Sequence, residues 1–273
     1  GWYGIHWLTE ALTERALARL SSEVASNAIR IEDFLANVQR DIRYLAGSFP
    51  VRNLADTINT SGHSAEYDVR RDELAQLLLR FLQGKPEYYE ASYLDEQGRE
   101  HVRLIAEPNR GPVIVPKEQL RDQSKHYDFH LAAQLSPGEL YVSPMDFALE
   151  PLRVESSPQP VVGYATPVVD RADEKRGVLL IRIFAAHLVG LVDDRQDSKG
   201  ESFLLNPNGD YLYSAKLGVG FPDPARSVHV SQHYPPAIVD ELLSKEPDAI
   251  LQPGGGILVH ASVPLLEANP ERF

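Results

Sequence analysis

The first fifty residues carry an unbroken helical pattern, which restricts the chain to folds built along one long helix. Residues 8–46 contain neither proline nor glycine. Apolar side chains recur every seven residues, at Leu17, Val24, Ile31, Val38 and Leu45. Such spacing gathers apolar groups on one face of a helix. We predict one helix over residues 8–47, about 60 Å long, which extends beyond a single small domain and offers a face for a dimer partner.

The rest of the chain predicts two α+β modules joined to this helix. Phe49-Pro50 is predicted to end the helix, and a second helix is expected over residues 66–82. Alternating or continuous apolar runs predict strands at 88–94, 100–105, 139–143, 161–169, 178–184, 202–205 and 210–213. Residues 106–116 and 150–160 are rich in proline and predict loops, and short helix is expected within 116–135. The predicted domains are residues 1–65 (helix and connector), 66–195 and 196–273.

Composition excludes several classes of function. The net charge of -12 disfavours binding to nucleic acid or to anionic lipid, because both repel an acidic surface. The chain contains no cysteine, so it has neither disulfides nor thiolate metal sites. Neither a nucleophile elbow nor a phosphate-binding glycine loop is present. We therefore predict no catalytic residues, no cofactor and no metal, and no apolar run is long enough to span a membrane.

Four segments in a fixed order resemble the double Cache sensor family. They are YYEASYLDEQGREHVRL (88–104), HYDFHLAAQLSPGELYVSPMDFALE (126–150), VVGYATPVVDRADEKRGVLLIRI (161–183) and SFLLNPNGDYLYS (202–214). The resemblance implies a long N-terminal helix followed by two PAS-like antiparallel-sheet modules. It also implies that residues 66–195 form a membrane-distal module with the ligand pocket and that residues 196–273 form a membrane-proximal one.

The resemblance further implies a place in a signalling system. Members of the family are periplasmic parts of inner-membrane receptors, so the membrane spans and the cytoplasmic output domain are expected outside this sequence. The full-length protein is expected to be a histidine kinase or another signalling enzyme, and its N-terminal helix is expected to form a homodimer. A structural or protein-interaction ectodomain with a vestigial pocket is the alternative.

Arg182 is the strongest single signal for a site. It interrupts the apolar run 178–184, which predicts a central strand buried on both faces. A buried guanidinium requires an anionic partner, and its planar fork suits a carboxylate. Amino-acid-sensing members carry an aspartate near this position, so the reversed charge favours an organic anion without an amine. An internal ion pair, with Asp146 or Asp170, is the alternative.

The remaining candidate residues come from the segments that the family places around its pocket. Tyr93 corresponds to a ligand-contacting tyrosine, and His126 and Tyr127 lie where a helix covers the sheet. Tyr141 and Ser143 share one strand face by alternation, as do Tyr164 and Thr166. Arg103 and Arg121 supply further positive charge. Together with Arg182, these residues predict a site for a small mono-, di- or tricarboxylate.

Overall fold

The computed structural model describes residues 2–61, 64–107, 111–147, 160–192, 201–214, 216–220, 227–244, 248–251 and 256–264. The chain divides into two compact units. The larger unit comprises residues 36–187, and the smaller one comprises residues 1–35 together with 188–273. None of the described helices is both long and apolar enough to cross a bilayer.

The long helix predicted from the sequence is confirmed. Helix α1 spans Trp2–Ala46 without a break, and its apolar stripe is buried at Ile31, Val38 and Leu45. Helix α1 ends close to the predicted position at Phe49-Pro50, but a further helix that was not predicted from the sequence, α2, spans Phe49–Ser61. Proline lacks the amide hydrogen that the first turn of a helix leaves unpaired, so Pro50 is compatible with a helix start.

A second predicted helix and a seven-stranded sheet complete the larger unit. Helix α3 spans Ala65–Gln83, and Ser64 caps its first turn by accepting from the Tyr67 amide. The strands are β1 (Tyr88–Leu94), β2 (Glu100–Glu107), β3 (Gly111–Ile114), β4 (Tyr141–Val142), β5 (Asp146–Phe147), β6 (Pro160–Val169) and β7 (Lys175–Phe184). Their order is β3-β2-β1-β7-β6-β4, with β5 also paired to β6, and every pairing is antiparallel. Strand β3 lies inside the segment predicted as a loop.

Helices cover both faces of this sheet. Helix α3 packs on β1, β2 and β3, and α2 packs on β6 and β7. Helix α4 (Tyr127–Ala133) packs on β4, β6 and β7 from the other face. Phe129 and Ala132 of α4 form an apolar cluster there with Leu94, Val178 and Leu180. The candidate site lies on this α4 face, beside the apolar cluster.

The smaller unit has its own sheet and core. Helix α5 (Ala185–Val192) follows β7 directly. Strands β8 (Phe203–Leu205), β9 (Tyr211–Ser214) and β10 (Val219–Gly220) form a three-stranded sheet. Strands β11 (Asp248–Leu251) and β12 (Ile257–His260) pair with each other, and helix α6 spans Pro236–Leu242. Tyr211, Val230, Val239 and Leu242 form the core. The predicted α+β class, with one long helix and antiparallel sheets, is confirmed.

Candidate functional site

Three adjacent strands place a cluster of buried charges at the centre of the α4 face. Glu90 on β1 lies opposite Arg182 on β7, and Arg103 on β2 lies diagonally across from Glu90. Arg182 Nη1 donates to Glu90 Oε2 at 2.9 Å, and Arg103 Nε donates to Glu90 Oε1 at 3.0 Å. The Glu90 carboxylate is thus bonded by two guanidinium groups.

A second carboxylate reaches Arg182 from helix α4. Arg182 Nη2 donates to Asp128 Oδ2 at 3.0 Å. Arg182 therefore does form an internal ion pair, which was the alternative interpretation of this residue, but its acidic partners are Glu90 and Asp128. Asp170, one of the two acids considered, pairs with Arg176 at 2.8 Å. The other, Asp146, has a side chain outside the described part of the structure.

These pairings keep Glu90 and Arg182 ionised despite their burial. Burial acts to raise the pKa of Glu90, but the charges of Arg182 and Arg103 outweigh it, and the pKa lies below its ordinary value. Burial acts to lower the pKa of Arg182, and the carboxylates of Glu90 and Asp128 reverse that effect. Each charge is therefore stable only while its partners remain in place.

A small cavity lies beside this cluster. Its walls include Ser92, Glu100, His126, Asp128 and Arg182, with Leu94, Phe129, Val178 and Leu180 as apolar wall. Its volume of about 10 Å³ is room for roughly one water molecule. A ligand larger than water must therefore displace side chains, and α4 supplies two of those that line the cavity, Asp128 and Phe129.

The segment before α4 is tied to β2 by Glu100. Its carboxylate accepts from the Arg121 amide at 2.9 Å and from Gln123 Nε2 at 3.0 Å. His126 then caps α4, since its Nδ1 accepts from the Asp128 amide at 3.3 Å. Because Nδ1 acts as an acceptor, the neutral imidazole carries its proton on Nε2. Nε2 is a buried donor with no partner among the described residues.

Three further buried polar atoms in this region lack partners within the described residues. They are Ser92 Oγ, Arg103 Nη1 and Asp128 Oδ1. Ser92 and Asp128 line the cavity, and Arg103 lies beside it through its bond to Glu90. Buried polar groups without partners are uncommon in folded proteins, and each calls for an explanation such as a bound water or ligand.

The structure brings several of the predicted residues together on this face. His126 and Arg182 line the cavity, and Arg103 lies beside it through its bond to Glu90. Ser143 lies close by, because its Oγ accepts from the Gly163 amide, which is opposite Arg182. Burial, the charge of Asp128 and a hydrogen bond to it raise the pKa of Tyr141 to about 12, which places its hydroxyl beside Asp128.

Two predicted residues lie at the edge of this group. The Arg121 backbone bonds to Glu100 through both its amide and its carbonyl. The Tyr127 ring stacks on His126 with a centroid distance of 4.7 Å and is 39% exposed.

Tyr93, Tyr164 and Thr166 are not brought to the cavity. Arg182 is opposite Gly163, so Tyr164 and Thr166 extend from the other face of β6. The Tyr93 hydroxyl donates to the Arg176 carbonyl at 2.6 Å, and the Thr166 hydroxyl donates to the Glu139 carbonyl at 2.7 Å. The sequence pattern correctly paired Tyr164 with Thr166 on one face, but it did not indicate which face.

The acidic half of the site was missed by sequence reasoning. Glu90 interrupts an aromatic strand in the same way that Arg182 interrupts an aliphatic one, so the same signal could have identified it. Ser92 follows by alternation from Glu90, whereas Asp128 required knowledge of where α4 packs. The site is of mixed charge rather than simply positive, because Glu90, Glu100 and Asp128 accompany the arginines.

Comparisons with known proteins agree with this architecture. The family model for the sensor domain of bacterial histidine kinases matches residues 51–270. No curated protein matches the chain at a significant level.

Several solved structures share this fold. The extracellular domain assigned to the histidine kinase vpHK1S-Z8 is 17% identical, with a TM-score of 0.71 over 94% of this chain and 88% of that one. A domain assigned to a sensory box/GGDEF family protein of Vibrio parahaemolyticus is 17% identical, with a TM-score of 0.73 over 95% and 93%. The ligand-binding domain of the Campylobacter jejuni chemoreceptor Tlp3, in complex with L-valine, is 16% identical, with a TM-score of 0.55 over 77% and 75%. The family match covers most of the chain, and the chain therefore belongs to the sensor domains of bacterial histidine kinases.

Proposed function

We propose that the cavity on the α4 face binds a small organic carboxylate that also carries a hydrogen-bond donor. The observation that carries this proposal is the group of unpartnered polar atoms around the Arg182 cluster. Arg103 Nη1 and His126 Nε2 are donors, the Ser92 hydroxyl can donate or accept, and Asp128 Oδ1 is an acceptor. A ligand with a carboxylate and one hydroxyl or ammonium group satisfies all four.

The net charge of the site further restricts the class of ligand that it can bind. The cluster contains the three carboxylates of Glu90, Glu100 and Asp128 and the two guanidinium groups of Arg103 and Arg182. Adding a dicarboxylate or tricarboxylate to this excess of negative charge is unfavourable in a buried site. Monocarboxylates are therefore favoured over the wider range of acids that the sequence suggested.

Amino acids are the first class to test. The Tlp3 domain, which shares the fold, has been solved with L-valine and with isoleucine. A zwitterion adds no net charge to the cluster and presents both a carboxylate and a donor. Hydroxy acids present the same groups with one more negative charge, and they form the second class.

A thermal-shift screen tests the proposal. Amino acids, hydroxy acids and dicarboxylates are each added to the purified protein, and a ligand at about 100 times its dissociation constant stabilises the fold by ~2.7 kcal/mol. For a chain of this size, that stabilisation corresponds to roughly 5–10 °C. We expect such a shift from a monocarboxylate and a smaller one from dicarboxylates.

Two asparagine substitutions on α4 localise the binding. His126→Asn retains an N-cap acceptor but removes the Nε2 donor, and it should weaken binding at least about fivefold. His130→Asn is the matched control, because His130 is exposed on the same helix. If no compound shifts the melting temperature, or if both variants bind equally, this cavity is not the ligand site. The chain would then be the ectodomain with a vestigial pocket.

We also propose the setting in which this site operates. The chain is placed in the periplasm as part of an inner-membrane receptor, and it passes a ligand-dependent change to a cytoplasmic output domain such as a histidine kinase. Full-length receptors form a homodimer along α1. Ile29 and Tyr44 support this, because both side chains are more than half exposed on α1.

A further inference from the structure

The carboxylate of Asp128 occupies the position on Arg182 that a ligand carboxylate would need. Its Oδ2 is 3.0 Å from Nη2, and its side chain is almost completely buried. Gly163 lies beside this contact, since a Cβ at that position would be in ordinary contact with Asp128 Oδ2 at 3.6 Å and would crowd Ser143 Oγ at 3.1 Å. The sheet surface beside Arg182 thus accommodates a carboxylate that comes from a different element.

The two acids bound to Arg182 are held in different ways. Glu90 belongs to a central strand and is bonded by Arg103 as well as Arg182. Asp128 belongs to the first turn of α4 and is paired with one guanidinium, that of Arg182. The Tyr141 hydroxyl and His126 Nδ1 lie near its carboxylate, but its Oδ1 accepts no hydrogen bond within the described residues. A seven-residue helix is too short to be stable by itself, so α4 depends on its contacts with the sheet. Asp128 is the more readily displaced of the two acids.

Strand β7 holds α4 at both ends. Arg182 binds Asp128 in the first turn, and Lys175 Nζ donates to the carbonyls of Ala133 and Leu135 at 3.1 and 3.2 Å, after the last turn. Phe129 and Ala132 pack between these two points. Breaking the first contact would leave the second in place, so the first turn of α4 would move while its end stays attached.

We propose that Asp128 is an internal competitor that binds Arg182 in place of the ligand's carboxylate. Asp128 closes the cavity in the ligand-free protein, and the first turn of α4 is released when a ligand replaces Asp128 on Arg182. This inference rests on the proposed function and adds a mechanism of regulation to it. A cavity the size of one water molecule is the expected result of such closure. The closed contact lowers the apparent affinity, because a ligand binds only the open fraction of the molecules.

Hydrogen exchange on the ligand-free protein tests the contact with α4. Asp128→Asn removes the charge while conserving shape, and we expect faster amide exchange in residues 127–133 than in the wild type. Asp122→Asn is the matched control, because Asp122 is an exposed acid just before α4 that binds the Ser124 amide and does not contact Arg182. Helix α3 should be unchanged in both variants. Equal exchange in α4 for wild type and Asp128→Asn would overturn the proposal.

Calorimetric titration with acetate and L-valine then tests competition. If roughly one molecule in ten is open at any time, Asp128→Asn should bind acetate about tenfold more tightly than the wild type, whereas Asp122→Asn should differ less than twofold. Weaker binding of acetate by Asp128→Asn would overturn competition, because acetate has no donor for Asp128 Oδ1 and can lose nothing there. If neither acetate, L-valine nor any compound of the screen binds to any of the three proteins, the proposed function and the role of Asp128 as a competitor are both wrong. If a ligand binds but hydrogen exchange in α4 is equal in wild type and Asp128→Asn, only the role of Asp128 as a competitor is wrong.

Discussion

At the scale of single residues, the site is organised by one carboxylate shared between two arginines. Glu90 is 1% exposed, and it is bonded by Arg103 and Arg182 from the neighbouring strands. A buried ion pair contributes little when compared with apolar residues of the same size, but removing one partner leaves an uncompensated charge. The arginines are therefore needed for the fold as well as for the proposed ligand.

Arg182→Ala should lower the free energy of unfolding by about 3 kcal/mol. The substitution leaves Glu90 with one guanidinium and Asp128 with none, and urea denaturation measures the loss. Arg70→Ala is the control, since Arg70 forms exposed pairs with Glu66 and Glu73, and its effect should be much smaller. An equal decrease in the free energy of unfolding for the two variants would show that the buried pairs of Arg182 stabilise the fold no more than the exposed pairs of Arg70.

Glu90 should also make stability depend on acid pH. Its folded pKa lies below the ordinary value of 4.5, so the unfolded chain binds the proton more readily. The stabilisation is complete above pH 4.5 and is lost as the pH falls through the folded pKa. Urea unfolding of wild type and Glu90→Gln at several pH values should show their difference in stability shrinking in acid. A constant difference would contradict the assigned shift.

The sequence could predict only part of this cluster. Arg182 stands out because a charge in an apolar run must find a partner, but the identity of that partner depends on strand order. Glu90 is 92 residues away along the chain and becomes adjacent only because β1 and β7 pair at the centre of the sheet. Asp128 depends on the packing of a seven-residue helix, which has too little periodicity to be placed from sequence.

At the scale of elements, apolar patterns predicted the long helix and the central strands but missed α2 and β3. Helix α1 and strands β1, β6 and β7 follow from their apolar patterns. Helix α2 was missed because its segment is polar and mixed and carries a proline at its second position, and β3 was missed because it contains Pro112. Proline is tolerated in both places, in the first turn of a helix and at the edge of a sheet.

The turn between β1 and β2 controls the position of the segment that leads into α4. Gly98 has a φ of +82°, and a Cβ there would lie 2.7 Å from Ser124 Cα. Gly138 has a φ of +87° with no atom within 4 Å of the added Cβ. Both alanine variants carry the cost of the left-handed backbone, about 1–2 kcal/mol, but only Gly98→Ala adds a backbone clash.

Thermal denaturation of the two alanine variants separates these effects. We expect Gly98→Ala to lower the free energy of unfolding by about 1–3 kcal/mol more than Gly138→Ala does. Gly98→Ala should also weaken binding of any ligand found in the screen, because the clash displaces the segment that carries His126. Equal stability of the two variants would indicate that residues 122–126 adjust without cost.

At the scale of the whole molecule, helix α1 belongs to both compact units. Its residues up to Leu35 belong to the smaller unit, and those from Ala36 belong to the larger one. The helix is roughly 70 Å long at 1.5 Å per residue. Its exposed apolar side chains at Ile29 and Tyr44 are the expected contacts of the proposed dimer.

Self-association of the isolated chain should be weak. Membrane tethering raises the effective concentration of two chains, and this contribution is lost in solution. Sedimentation should therefore detect a monomer or a dimer that dissociates on dilution, with parallel α1 helices in the dimer. Ile29→Glu should abolish any dimer, while Glu32→Gln, one turn away on the same helix, should not. A tight antiparallel dimer that is insensitive to Ile29→Glu would contradict the arrangement.

The sharing of Glu90 between two arginines also has an evolutionary consequence. Replacing any one of Glu90, Arg103 and Arg182 by an apolar residue leaves a buried charge without its full set of partners. Single substitutions at these positions therefore carry a fitness cost. Lineages that change their ligand are expected to replace the three positions as a set or to retain all three. Among homologous sequences, positions 90, 103 and 182 should therefore covary, while exposed positions such as Tyr127 drift independently.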